Sequence, residues 1–363
     1  MMIFNQQELA RYARHFSLAE IGMHGQEKLK QAKILCVGAG GLGSAAISYL
    51  AAAGIGTLGI VDDDVVELSN LQRQIIHGYS DIGKAKVLSA QQWINNNNPE
   101  VKVELYQQRL TPNLAASIIP HYDLVIDGTD NFASRYLIND ACYFAKKPNI
   151  HASIFRFDGQ ISVFCTENGA CYRCLFPEIP EKDAIPNCAQ AGVLGVLPGL
   201  LGVMQATEAL KLIVGCGNPL INRLLTVNAL EMQFNTFALS KNPQCTLCGE
   251  NPSIKELSMM NTTLPPAESE IDVNSLRQRL EQNLPLKLFD VREPFELLVK
   301  EPIENAINIP LNDIPNNLDI FPKNEVFVVY CKSGIRSHHA VLYLRDLGFD
   351  CLNLLGGIEA WHK

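Results

Sequence analysis

The 363-residue sequence has no run of lysine or arginine, and its formal net charge is −8. Proteins that bind nucleic acid usually carry a basic stripe, so nucleic acid is not expected as a partner. The sequence also lacks an unbroken apolar stretch of the ~20 residues that a membrane-spanning helix needs. The longest candidate is VLGVLPGLLGVM, Val193 to Met204, which runs at once into Gln205, Glu208 and Lys211. It reads as a Gly/Pro-broken loop followed by a buried helix, and no membrane partner is expected. The opening MMIFNQQELARYARHF is charged and has no apolar centre of the kind a secretory signal requires. Internal repeats and low-complexity tracts are absent. The eleven cysteines are an odd number. With no secretory signal, a reducing, cytoplasmic compartment is expected, where short cysteine pairs more often bind metal than form disulfides.

What is present is an alternation of strand-like and helix-like segments. KILCV (33–37) reads as a buried strand, followed by a glycine turn, an Ala-rich helix ended by Gly54, and the strand TLGIVDDD. A helix is predicted over Gly83–Asn96, then strands in VKVELYQQRL and HYDLVIDGTD, a helix in ASRYLINDACYFAKK and a strand in QISVFCT. This pattern predicts an α/β domain with a Rossmann-like, mostly parallel sheet. After Gly249 the polar, proline-containing NPSIKELSMMNTTLPPAESE reads as a linker. The reading is therefore three parts: a domain over 1–249, a linker over 250–270 and a small α/β domain over 271–363.

VGAGGLGSA holds Gly38, Gly40, Gly41 and Gly43. Such a turn lets backbone approach phosphate at a helix N-terminus. Asp62 ends the next strand at the distance that suits ribose hydroxyls. A dehydrogenase fits this much, as does a glycine turn that holds nothing. The residues that follow favour different chemistry. Asn70, Arg73, Gln74 and Lys86 bring polar groups and two cations toward the same place, and Asp130 ends a strand as a candidate Mg²⁺ carboxylate. Attack on an α-phosphate drives charge onto leaving pyrophosphate, which cations and Mg²⁺ must meet. Hydride transfer has little need of them.

Two CxxC pairs, Cys171/Cys174 and Cys245/Cys248, have the spacing of a four-thiolate structural zinc site. Cys188, in IPNCAQAG, follows a proline-containing stretch and is read as a nucleophile or an inert thiol. Near the C-terminus CKSGIRS delivers Cys331 from a strand into a polar loop with Arg336, where turned N–H groups and a cation stabilise a thiolate. Cysteine phosphatase loops place one more residue between Cys and Arg, so sulfur transfer is favoured over phosphatase chemistry.

GAGGLG, SNLQRQ, GKAK, GTDN, CYRC, NCAQAG and CTLCG follow one another in the order of the MoeB/ThiF family, the bacterial relatives of ubiquitin-activating enzymes, and residues 5–249 resemble it. The resemblance implies adenylation of the C-terminal glycine of a ubiquitin-like sulfur carrier ending in Gly-Gly. It implies that Asp62 holds ribose, that Asn70, Arg73 and Lys86 hold ATP phosphates, and that Asp130 holds Mg²⁺. Arg14 matches a family arginine that reaches the partner subunit's ATP site, which implies a homodimer. Cys188 matches a cysteine that in some members joins the carrier or acts in sulfur transfer.

LFDVREPFE, AINIPL, CKSGIRS and LLGGIEAW resemble the rhodanese family over 271–363, with Pro302 and Asn305 standing where that family often has His and Gly. Cys331 is then the persulfide-bearing residue, loaded by an upstream donor such as a cysteine desulfurase. The combined layout resembles enzymes of molybdopterin synthesis, with thiamine synthesis and tRNA thiolation as alternatives. A dehydrogenase fused to a rhodanese, or a scaffold that adenylates nothing, are the rival readings.

Overall fold

The computed structural model describes residues 4–178, 192–258, 269–282, 286–323 and 325–362. The chain divides into two compact units, Met1–Asn261 and Thr262–Lys363. Cys188 and the middle of the polar stretch after Gly249 lie outside the described residues.

The first unit is built on an eight-stranded sheet. Its strands are β1 (Lys33–Val37), β2 (Thr57–Val61), β3 (Lys102–Tyr106), β4 (Leu124–Asp127), β5 (Asn149–Phe155), β6 (Asp158–Phe164), β7 (Arg223–Asn228) and β8 (Gln233–Ala238). The order is β3-β2-β1-β4-β5-β6-β7-β8. Strands β3 to β5 pair in parallel, whereas β5–β6, β6–β7 and β7–β8 are antiparallel. The sheet is thus mixed, and the mostly parallel expectation holds for one half of it. The reason is sequence distance. Two residues join β5 to β6 and four join β7 to β8, and connections that short permit only hairpins.

Strand order reverses between β1 and β4, and in open α/β sheets ligands bind at the carboxyl ends of the strands flanking such a reversal. Both faces of the sheet are covered. β1 and β2 are almost wholly buried, so they read as continuous apolar runs. The helix Gly41–Ala53 ends at Gly54, whose φ of +82° is the left-handed cap that glycine adopts without strain.

The apolar segment near residue 200 corrects the sequence reading. The helix spans Val196–Val214 and takes in Pro198 and Gly199, expected to form a loop, with Gly195 as its N-cap. Pro198 sits in the first turn, where the missing N–H has no intrahelical acceptor to lose. Among the described residues this helix alone is long and apolar enough to cross a membrane by length and composition. Here it packs along Gly41–Ala53 at Gly202, where a Cβ would stand 2.3 Å from the Leu42 carbonyl oxygen. Its buried Gln205 donates to the carbonyls of Asp127 (2.7 Å) and Ile150 (2.8 Å).

The second unit has a five-stranded parallel sheet: β9 (Glu270–Ile271), β10 (Lys287–Asp290), β11 (Ile307–Asn308), β12 (Phe327–Tyr330) and β13 (Cys351–Leu354), in the order β11-β10-β12-β13-β9. Phe289, Phe321, Phe327 and Phe349 pack ring against ring in its core. The central strand β12 delivers Cys331 at its carboxyl end.

Candidate active sites

The glycine turn leaves β1 at Gly38, whose φ is +94°. A Cβ there would stand 2.9 Å from the Gly128 carbonyl oxygen, and one on Gly43 would stand 1.9 Å from Gly38 O. The turn is therefore folded onto itself and onto the loop after β4, tighter than any other residue permits. A Cβ on Gly41 would meet Pro198 at 2.9 Å and the Arg73 stem at 3.6 Å, so the SNLQRQ segment and the long helix both lie against the turn.

Asp62, at the end of β2, accepts from the Ala39 N–H (2.8 Å) and the Asp64 N–H (2.9 Å). Burial pushes its carboxyl up, Lys86 and the two N–H groups pull it back, and the net shift is upward. Lys86 opens the helix Lys86–Asn97, is largely buried, and reaches the exposed Asp64 at 2.8 Å. Asn70 is buried and its Oδ1 accepts from the Glu67 N–H at 3.1 Å. Arg73 donates to the Ser69 carbonyl at 3.0 Å. Gln74 is buried, its Nε2 lies 3.8 Å from where a Gly40 Cβ would be, and its Oε1 has no hydrogen-bond partner among the described residues.

Asp130 is exposed on the loop that abuts Gly38. The same loop is pinned one residue earlier by the buried Asp127, which accepts from Thr129 N (3.0 Å), Thr129 Oγ1 (2.6 Å) and His151 Nδ1 (2.7 Å). Burial alone would raise the Asp127 carboxyl; the hydrogen bond and charge from His151 lead the effects that reverse it. Burial lowers His151 despite that partner, so a neutral imidazole donates to an ionised carboxylate. Arg14 is exposed on the short helix Ala13–Phe16.

The two CxxC pairs meet. Sγ separations are 3.8 Å for Cys171–Cys174, 3.6 Å for Cys171–Cys245 and 3.3 Å for Cys174–Cys248. Zn–S bonds of about 2.3 Å at tetrahedral angles put sulfurs about 3.8 Å apart, so the four thiols fit one ion and can bind zinc. Nearby, Arg173 pairs with Asp140 at 2.8 and 2.7 Å, and the Asn242 N–H donates to Cys174 Sγ at 3.3 Å. All ten cysteines among the described residues are free. Cys36, Cys142, Cys165 and Cys351 are core thiols whose ionisation burial opposes, which accounts for much of the high count.

In the second unit Cys331 is 1% exposed. Ser337 Oγ lies 3.4 Å from its Sγ and 2.6 Å from Asn353 Oδ1. Arg336 does not stand open toward an anion. It forms a two-pronged pair with Glu296 at 2.6 and 2.7 Å. Burial would raise the Glu296 carboxyl, but this pairing and the Glu293 N–H lower it. Lys332 faces Glu359 at 3.5 Å. Glu296 is itself placed by the preceding DVR turn, where buried Arg292 bonds Asp290 and Asn308 bonds both carbonyls. The loop is clasped from the far side by LLGG. The Ile358 N–H donates to Cys331 O (2.8 Å) and the Glu359 N–H to Lys332 O (3.0 Å). A Cβ on Gly357 (φ +57°) would stand 2.4 Å from Cys331 O.

Sequence reasoning missed His77, Ser89, Asp127, His151, Gln205 and Glu296. They lie beside the motifs or far from them, and only the fold brings them in.

The ThiF family profile matches residues 12–247. The chain belongs to the ThiF family. A rhodanese-like domain matches residues 272–363. Among named relatives, the probable adenylyltransferase/sulfurtransferase MoeZ of Mycobacterium tuberculosis is 42% identical over 99% of this chain and 94% of its own. The adenylyltransferase and sulfurtransferase MOCS3 of Culex quinquefasciatus is 38% identical over 99% and 88%. The sulfur carrier protein adenylyltransferase of Thermus thermophilus is 47% identical, covering 70% of this chain and 96% of its own. In fold, a crystal structure of MccB from Escherichia coli aligns with a TM-score of 0.60 at 21% identity, covering 71% of this chain and 76% of that one. This ThiF-family chain is therefore an adenylyltransferase and sulfurtransferase, which removes the support for a dehydrogenase or an inert scaffold.

Proposed function

We propose that the first unit adenylates the C-terminal glycine of a ubiquitin-like sulfur carrier ending in Gly-Gly, and that Cys331 then supplies sulfur to it. The observation that carries this reading is the convergence of a folded glycine turn, Asp62, the Asn70–Gln74 segment and Lys86 at the reversal point of one sheet. The turn N–H groups and the helix N-terminus receive phosphate oxygens. Asp62 orients the ribose. Asn70, Arg73, Gln74 and Lys86 hold the triphosphate while charge builds on the leaving pyrophosphate. Asp130, exposed and close to the turn, is the carboxylate for Mg²⁺, which neutralises phosphate charge when bound. Arg14 completes the site of the partner subunit in a homodimer.

The carrier carboxylate attacks the α-phosphorus, a P–O bond forms, and pyrophosphate leaves. The terminal sulfur of a Cys331 persulfide, loaded by a donor such as a cysteine desulfurase, then attacks the acyl carbon and AMP departs. The product is an acyl disulfide to Cys331. A thiolate attacking Cys331 Sγ, assigned to Cys188, releases the carrier thiocarboxylate and leaves a Cys188–Cys331 disulfide, which a cellular thiol reduces. The four-cysteine site holds zinc with no open position and serves structure.

A reducing cytoplasm suits the free thiols. Molybdopterin synthesis is the favoured pathway because a 40% identical relative from Porphyra purpurea is named a probable molybdopterin-synthase adenylyltransferase. Thiamine synthesis and tRNA thiolation use the same chemistry. ATP–pyrophosphate exchange tests the reading. Exchange should require a Gly-Gly-ended carrier, and its absence with every such carrier overturns adenylation.

A further inference from the structure

The nucleotide grip comes from three stretches of chain that share no strand or helix. They are the glycine turn, the Asn70–Gln74 segment and the helix that Lys86 opens. One buried residue bonds to all three, through its ring to two of them and through its main chain to the third. His77 lies one turn past Gln74, and its N–H donates to the Gln74 carbonyl at 3.1 Å. Its Nε2 is 3.0 Å from the Ala39 carbonyl oxygen, inside the glycine turn. Its Nδ1 is 2.8 Å from Ser89 Oγ, three residues beyond Lys86 on the same helix. The Ser89 hydroxyl is shared with Asp81 Oδ2 at 3.0 Å.

The proton positions follow from the partners. A carbonyl only accepts, so Nε2 carries hydrogen. Burial holds the ring below its ordinary range, and Nδ1 and the Asp81 carboxylate share the single proton of the Ser89 hydroxyl. Ala39 is thereby held from both sides, because its N–H donates to Asp62 and its carbonyl accepts from His77. The two peptide units that join Gly38 to Gly40 are thus each tied by one bond.

We infer that His77 is a positioning residue for adenylation, fixing the glycine turn, the Asn70–Gln74 segment and the Lys86 helix in one arrangement around the triphosphate. This rests on the adenylation reading above. It also accounts for the tight grouping of polar residues with no covalent constraint to keep them together. Loss of the link to Ala39 frees the turn N–H groups and weakens ATP binding.

The side-chain geometry provides the test. Gln at 77 can set an N–H where Nε2 stands and keep the bond to Ala39. Asn reaches only the Nδ1 position and keeps Ser89. We expect His77→Asn to raise the KM for ATP in carrier-dependent exchange roughly tenfold, and His77→Gln to stay within about threefold of wild type, the range one buried hydrogen bond commands. The KM for carrier should move less than about twofold in both. Calorimetric titration with ATP alone should show the same order. An unchanged ATP KM in His77→Asn, or ATP and carrier KM rising together, overturns the proposal. If His77→Asn fails to fold, Ser89→Ala decides: a raised KM for ATP supports the hub and an unaltered one defeats it. Wild-type protein that binds ATP but performs no exchange refutes adenylation instead, and the ATP titrations still judge His77.

Discussion

The two proposed centres are assembled in opposite ways. The nucleotide grip gathers residues from Gly38 to Asp130 through a sheet, a long buried helix and several side-chain hydrogen bonds. The proposed sulfur centre is one heptapeptide after β12, a short loop running into the helix Ile335–Asp346 and shaped by the main chain of LLGGIE. A dispersed site depends on the register of a whole domain, whereas a contiguous one depends on local turns. The difference predicts that damage to the first unit propagates within that unit, and that damage to the loop stays in the loop.

The largest effects should separate the two centres cleanly. Lys86→Ala should cut ATP–pyrophosphate exchange by about 100-fold or more, the scale of losing a cation that meets developing charge, while thiosulfate–cyanide sulfurtransfer persists. Cys331→Ala should do the reverse, and an exchange rate that falls with it would break the contrast. Next in size is the cysteine cluster. Elemental analysis should give about one zinc per chain. Cys174→Ser should lose it and lower the melting temperature of the first unit by roughly 10 °C or more, as loss of a structural metal worth several kcal/mol requires. Metal-free wild-type protein that melts unchanged would remove zinc from the scheme. The smallest effect concerns Glu296. Glu296→Gln keeps an acceptor for the Glu293 N–H but loosens Arg336, so kcat/KM for thiosulfate, a dianion, should rise about threefold, the scale of a single ion pair near the surface. A fall would mean that Glu296 holds the loop rather than neutralising its cation.

The same contrast explains what the sequence made legible. Strands β1, β2 and β4 declared themselves because they are short apolar runs closed by glycine or acid. The glycine turn, the paired cysteines and CKSGIRS are contiguous chemistry, readable without a fold. The expected helix over Gly83–Asn96 is found as Lys86–Asn97, which makes Lys86 its first residue. The antiparallel half of the sheet was harder. β5 was not anticipated, and β8 is exposed along its whole length, so it lacks the alternation that marks a half-buried strand.

The segment at Val196 misled because proline in a first turn looks like a loop when the start of the helix is unknown. His77 and Gln205 could not be read at all. Nothing local marks a histidine or glutamine as a tie between distant carbonyls. Asn305 was legible only as a departure. The structure gives it φ of +60°, a backbone that glycine adopts freely and that asparagine tolerates better than most residues, so the exchange preserves the turn.

The clasp of Cys331 by LLGG has a consequence for how this loop can change. Its outline is moulded by N–H and carbonyl groups, which every residue but proline carries, and by the close approach of Gly357 to the Cys331 carbonyl. The side chains at Lys332, Ser333 and Ile335 are exposed, so substituting them should alter the outer face of the loop and leave the Cys331 thiol in place. One region acts as the die and the other as an interchangeable label, so the outer face of the loop can vary at positions that carry little of the structural burden.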